Sequence, residues 1–283
     1  AIISFEKMSK LTLTNQEIHD FAQEILDSPK YRSINIPVEV VDSLYQQEIP
    51  NYKKLSDLHK AVRKKLHNVV ANYLGNIDYE AYETALINAA STSENELKTV
   101  CLQILSQHVS TNERIPYLDY FYKQIFDRIG KPQSILDLAC GYHPFGIPWM
   151  ELDPDCKYYA YDIIEARVSL LNTFFQLLKR EPLAYQEDIL LHPPQMQADV
   201  AFFFKEAHRF DQRQKGCNRD FWQSINVKNI LVSLPAESMT SRHQKTDQHR
   251  KLVYDNLVGF DWAVEEFQIG NEMFFWIKKE QGS

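Results

Sequence analysis

The chain has 283 residues and 44% hydrophobic content, enough for a substantial core, so a disordered chain is excluded. Thirty-one basic against 38 acidic residues leave a formal charge of -7, which excludes nucleic-acid binding through the overall field and leaves room only for a local basic site. The longest apolar run, around Val200 to Phe204, is far below the roughly 18 to 20 residues a bilayer requires, and AIISFEKMSK lacks the pattern of a secretory signal.

A cytoplasmic protein is therefore expected, with Met8 a candidate start behind leftover residues. Cys101, Cys140, Cys156 and Cys217 have no paired spacing, so reduced thiols are expected rather than a zinc site or disulfides. Up to about residue 130 the apolar positions recur at three and four, as in Ile18, Phe21 and Ile25 and in Leu58, Val62, Leu66, Val69 and Val70. Asn15 and Ser56 are expected to cap the first two helices. GKPQ at 130–133 marks the expected boundary between a helical domain over 1–130 and a second domain over 131–283.

From 134 onward short β-rich runs alternate with helical ones: SILDL, KYYAYD, LAYQED, ADVAFFF and NILVSLP. This alternation predicts an α/β fold with a parallel sheet. WAVEEFQI, a Gly270-Asn271 turn and EMFFWIKK then predict an antiparallel hairpin at the end. No repeat or low-complexity segment interrupts this layout.

The first predicted strand runs into LACGYHP, a bend with one glycine where nucleotide-binding turns usually have two or three. Gly141 permits a positive φ and close approach of a ligand, and the small Ala139 stands where a first glycine is expected. Asp162 ends the second strand, where a ribose hydroxyl pair is held in such sheets, and Asp188 ends the third. A carboxylate at a strand end is often just a helix cap, but three such ends in consecutive strands point to a ligand.

Two basic stretches stand out. KKLSDLHKAVRKK carries Lys53, Lys54, Lys60, Arg63, Lys64 and Lys65 against one acid, Asp57. SRHQKTDQHRK, which includes Arg242 and Lys245, has four basic residues against Asp247. Each is a candidate phosphate-contacting surface or simply a solvated face.

The layout resembles a Rossmann-like class I S-adenosylmethionine-dependent methyltransferase preceded by a helical domain. HVSTNERI at 108–115, LDLACGYHP at 136–144, FFK at 203–205 and VSLP at 232–235 resemble segments of the aminoglycoside-resistance 16S rRNA guanine-N7 methyltransferases. KYR at 30–32 and AVRKKLHNVVANY at 61–73 extend the similarity over nearly the whole chain beyond the first 15 or so residues. In that family the A-C-G form of the bend is usual, which accounts for Ala139.

The resemblance implies S-adenosyl-L-methionine as cofactor and 16S rRNA of the 30S subunit as partner, in a monomer without metal. It implies that Arg114 grips the methionine carboxylate, and that Ala139, Gly141, Asp162, Asp188, Ile189 and Phe203 surround the cofactor, Asp162 at the ribose and Asp188 at the adenine amine. Lys205 and Phe204 are implied as catalytic residues at the mouth of the pocket, and the helical domain as an RNA-binding or lid element. From the residues alone, Arg114 reads as a surface ion pair with Glu113 or Asp119, and at least one of Phe203 and Phe204 as sheet core.

Guanine N7 has an in-plane lone pair and no proton, so neither a general base nor a nucleophilic side chain is required. Tyr142, Phe204 and Phe210 are candidate rings for stacking a flipped base. Glu206, His208 and Glu237 depart from the family pattern, and an acid at 237 would repel phosphate. They leave two alternatives open: a methyltransferase of another RNA site or a small molecule, and a non-catalytic RNA-binding scaffold of the same fold.

Overall fold

The computed structural model describes residues 11–70, 77–236 and 244–279. The chain forms two compact units, Ala1–Asn76 and Ile77–Ser283.

The first unit holds α1 (Asn15–Leu26), α2 (Val38–Glu48) and α3 (Leu55–Val70). Thr14, not Asn15, caps α1: its hydroxyl accepts from the Glu17 amide at 3.2 Å while Glu17 returns a carboxylate to the Thr14 amide at 2.8 Å. This reciprocal arrangement follows from the T-x-x-E spacing, which places Asn15 inside the first turn. Ser56 likewise lies within α3 rather than before it. Leu58, Val62, Leu66 and Val70 of α3 are buried, so the helix turns its charged residues outward.

The second unit begins with α4 (Tyr79–Thr92), α5 (Glu94–Leu105), α6 (Val109–Asn112) and α7 (Leu118–Ile129). These helices fall on the far side of the division from α1–α3, so the unit boundary lies at Asn76–Ile77 instead of at the GKPQ stretch. The physical reason is burial: Leu86, Leu97, Ile104, Phe121 and Ile125 share one core with the sheet residues Ile135, Phe202 and Phe274.

Seven strands follow: β1 (Ser134–Leu138), β2 (Lys157–Asp162), β3 (Ala184–Gln186), β4 (Ala198–Phe204), β5 (Val227–Pro235), β6 (Ala263–Ile269) and β7 (Glu272–Lys278). They order as β3-β2-β1-β4-β5-β7-β6, parallel through β5 and antiparallel at β7 and β6. This is the sheet expected from the sequence, its central strands β1, β4 and β5 buried on both faces and so read as apolar runs.

The helices α8 (Glu165–Leu177), α9 (Ala207–Arg213), α10 (Cys217–Ser224) and α11 (Gln244–Leu257) complete the unit. One sheet face packs under α4, α5, α7 and α8, the other under α9, α10 and α11. Strand order reverses between β1 and β4, which makes the carboxyl ends of those strands the natural crevice for a ligand. Among the described residues no helix is long and apolar enough to cross a membrane.

Candidate functional site

The bend after β1 sits at that reversal. Ala139 and Gly141 both adopt left-handed backbone, with φ of +52° and +56°. A Cβ added to Gly141 would meet no atom within 4 Å, so the bend faces open space. For a non-glycine residue such a φ is disfavoured by roughly 1 to 2 kcal/mol, so surrounding bonds must hold the bend in place. Two of them come from β2: the Cys140 amide donates to the Tyr161 carbonyl at 2.9 Å, and the Gly141 amide to Asp162 Oδ2 at 3.1 Å.

Asp162 ends β2 as the sequence placed it, whereas Asp188 lies two residues past the end of β3, and both acids are buried. Each is already joined to an arginine that sequence reasoning missed. Asp162 accepts from Arg167 Nη1 at 2.7 Å and from the Ile164 amide at 2.9 Å, and Arg167, 0% exposed, lies over the Tyr142 ring at 4.6 Å. Asp188 accepts from both terminal nitrogens of Arg213 and from the Leu190 amide. Arg167 was findable, being in the first turn of the helix after Asp162. Arg213 lies 25 residues from Asp188 and carries no local signal.

A second group gathers at the ends of β4, β5 and β7. Arg114 donates through Nε and Nη2 to Glu272 at 2.9 and 2.6 Å. Its two-pronged contact is therefore with Glu272, and neither Glu113 nor Asp119 is its partner. The guanidinium lies between the rings of Phe121 and Phe204, at 5.1 and 4.9 Å. Ser233 also donates to Glu272, and Lys205 Nζ lies 2.5 Å from Glu113 and 3.8 Å from Glu272. Burial alone would raise the Glu272 carboxyl, but Arg114, Lys205 and Ser233 together hold it below the usual carboxylate range.

Register explains the gathering: Phe204 pairs with Ser233 and Pro235 with Glu272, which brings Lys205, Ser233 and Glu272 to one end of the sheet's strands. The signal for Glu272 was an acid opening the otherwise apolar strand EMFFWIKK.

The apolar residues and rings named from sequence are taken up in the core. Phe203 and Ile189 are core residues on the α9–α11 face, Phe203 packing edge-on to Phe210 at 4.9 Å. Phe204 points to the opposite face, as strand alternation requires, and stacks on Phe202 at 4.9 Å. Tyr142 and Phe210 are buried too, so none of the three candidate stacking rings presents a free face.

Glu206 is not a plain surface residue: its side chain is 14% exposed and pairs with Arg209 at 3.3 Å. Burial raises its carboxyl from 4.5 to about 7. A raised acid binds its proton more tightly in the folded state, so the associated stability is present below pH 4.5 and lost as pH rises toward 7. Glu206→Gln is thus expected to stabilise the fold by about 1 to 3 kcal/mol at pH 8 and not at pH 4, as read from urea unfolding. His208 is shielded as well, and burial lowers its imidazole to about 4.

On the first unit, Lys53, Lys54, Lys60, Arg63 and Lys64 are exposed and Lys65 is half-buried. Lys65 pairs with Glu48 at 2.5 Å, and Lys60 lies 3.9 Å from Asp57. Arg242, Glu237 and the side chain of Lys245 lie outside the described residues. The rest of that second basic stretch is neutralised, Arg250 by Glu266 and Lys251 by Asp255. Among the described residues the four cysteines are buried free thiols, and no group of three or more His, Cys, Asp or Glu is placed to hold a metal.

Comparison with known proteins gives a consistent picture. A family model described as ribosomal RNA methyltransferase (FmrO) matches residues 27–277. A 16S rRNA (guanine(1405)-N(7))-methyltransferase of Proteus mirabilis is 27% identical over 279 residues, covering 93% of this chain and 97% of that protein. A protein of the same name from Micromonospora rosea is 26% identical over 272 residues, covering 94% and 98%. Among solved structures, an rRNA methylase from Escherichia coli superposes with a TM-score of 0.73 at 26% identity, over 93% of this chain and 100% of that one. The 16S rRNA methyltransferase RmtF, solved with S-adenosyl-L-homocysteine, gives 0.77 at 21% identity over 95% and 100%.

Proposed function

We propose, since this chain belongs to the FmrO family of ribosomal RNA methyltransferases, that it methylates N7 of a guanine in the decoding A site of 16S rRNA, using S-adenosyl-L-methionine. The observation that supports the proposal is that an open glycine bend, two buried acids at or just past the ends of β2 and β3, and the Arg114–Glu272–Lys205 group all lie along the end of the sheet where the parallel strands finish.

These residues fit the cofactor. The space at Gly141 admits a ligand against the backbone. Asp162 already accepts three hydrogen bonds and keeps one acceptor site, on Oδ1, for a ribose hydroxyl, and Asp188 likewise keeps one, on Oδ2, for an exocyclic amine. Arg114 keeps Nη1 for a ligand carboxylate while Glu272 fixes the rest of its fork. Ala139 and Gly141 supply the floor, and Ile189 and Phe203 support it from the core behind. When bound, the cofactor supplies an electrophilic methyl group on a positively charged sulfur.

Because N7 carries no proton, the residues orient the base and accommodate charge rather than move protons. Lys205 donates to the guanine O6 beside N7, and Phe204 holds Arg114 from below. Glu113 and Glu272 offset the positive charge the purine ring gains. Lys205→Ala is expected to lower methyl transfer to 30S subunits by about 10- to 100-fold, the worth of one charged hydrogen bond, while cofactor affinity stays within about threefold. An unchanged rate would remove Lys205 from the reaction.

The exposed basic residues of α3 are assigned to phosphate contacts. Replacing Arg63 and Lys64 with alanine should weaken 30S binding and flatten the dependence of log affinity on log salt by about 1 to 2. Salt-insensitive turnover would count against an RNA substrate. On this reading the protein acts as a cytoplasmic monomer on assembled 30S particles, and its expression raises the aminoglycoside concentration that a susceptible host tolerates. Calorimetry with S-adenosyl-L-methionine, followed by labelled-methyl transfer to 30S subunits and to a small-molecule panel, tests the proposal against a scaffold and against a small-molecule enzyme.

A further inference from the structure

We propose that Asp137, His143 and Tyr158 form a buried clasp that holds the bend after β1 in its ligand-binding shape, with His143 as the positioning residue. The proposal rests on the methyltransferase reading above and concerns how that same site keeps its form.

Asp137 Oδ2 lies 2.8 Å from His143 Nδ1 and accepts from the Tyr158 hydroxyl at 2.6 Å. All three residues are 1 to 3% exposed. A carboxylate only accepts, so Nδ1 carries the imidazole proton. Nε2 has no hydrogen-bond partner among the described residues, which favours a bare nitrogen there over a buried unpaired donor.

Asp137 lies on β1 just before its last residue, and His143 opens the 3-10 turn over His143–Trp149. The clasp therefore ties together the two ends of the bend, while Tyr158 anchors it to β2. Between those ends lie Ala139 and Gly141, both left-handed and one of them without glycine's freedom. On its other side the His143 ring meets Phe204 at 4.9 Å, and Phe204 carries Arg114 at 4.9 Å. One imidazole thus touches the supports of both halves of the candidate site. It reaches them through Asp137 and Phe204, not through a ligand.

The test is calorimetric titration of S-adenosyl-L-methionine into wild type, His143→Leu, His143→Asn and Tyr158→Phe, with thermal melts. Amide exchange over residues 139–142 is followed without ligand. His143→Leu is expected to weaken binding about 30-fold and speed exchange at the Gly141 amide, with saturated turnover within about threefold of wild type. His143→Asn keeps a side-chain N–H and should recover affinity to within about fivefold, and Tyr158→Phe, which removes one of two donors, should lose about fivefold. Nitrogen NMR of His143 should show a protonated Nδ1 and a bare Nε2.

Affinity within twofold of wild type in both His143→Leu and Tyr158→Phe would overturn the clasp, whatever the change in melting temperature. Should His143→Leu fail to fold, Tyr158→Phe alone decides. A wild-type protein that binds no S-adenosyl-L-methionine would instead refute the methyltransferase reading, and the ligand-free exchange comparison would still decide the clasp.

Discussion

Arg114→Ala is expected to lower the free energy of unfolding by about 3 to 5 kcal/mol at neutral pH, the cost of breaking a buried ion pair from one side. Glu272 is 0% exposed, and among the described residues it retains, without the guanidinium, only the more distant Lys205 and the Ser233 hydroxyl. The penalty depends on pH. The Glu272 carboxyl is depressed in the folded state, so its contribution is full above the ordinary value of 4.5 and is lost as pH falls through the lower folded value. The gap between wild type and variant should therefore be widest near pH 7 and narrow at pH 4 and below. Urea unfolding at both pH values measures it. A double replacement of Arg114 and Glu272 by methionine should recover most of the stability and none of the methyl transfer, because a well-packed apolar pair can replace a buried ion pair but not its charge. Equal stability of Arg114→Ala and wild type would show that the pair contributes little to the fold.

Asp162→Ala is expected to weaken S-adenosyl-L-methionine binding by about 10- to 100-fold, since it removes the charged acceptor assigned to a ribose hydroxyl. The same change frees the bend. Gly141 and Ile164 lose the carboxylate that receives their amides, and Arg167 loses the partner of its Nη1. Asp162→Asn keeps one acceptor oxygen and should fall between the two. Calorimetric titration distinguishes these outcomes. Wild-type affinity in Asp162→Ala would place any bound nucleoside elsewhere on the molecule.

The parallel sheet was legible because its central strands are buried on both faces and β-rich. SILDL, KYYAYD and ADVAFFF coincide with β1, β2 and β4, while β3 is confined to Ala184–Gln186 and β5 begins earlier, at Val227. The bend, Asp162 and Asp188 were legible for a related reason: a ligand crevice in such a sheet lies at strand tips, and the tips follow from the strands. The unit boundary was not. Helical periodicity reveals an apolar stripe but not the core it faces, and the stripes of α4, α5 and α7 meet the sheet.

Partners distant in sequence were equally hidden. Arg114 and Glu272 are 158 residues apart, and only the register of β5 against β7 brings the acid to the site's edge. Of the candidate stacking rings Tyr142, Phe204 and Phe210, Phe204 is one of consecutive aromatics on a central strand that serve its two covered faces. Phe203 and Phe204 each fill a core, and neither offers a free platform.

The most direct test of the central claim is to incubate 30S subunits with the protein and S-adenosyl-L-methionine, cleave the 16S rRNA chemically at N7-methylguanosine, and read the cut by primer extension. A single new stop at a guanine of the decoding A site is the predicted result. Absence of any such stop, with the protein folded and cofactor present, would contradict it.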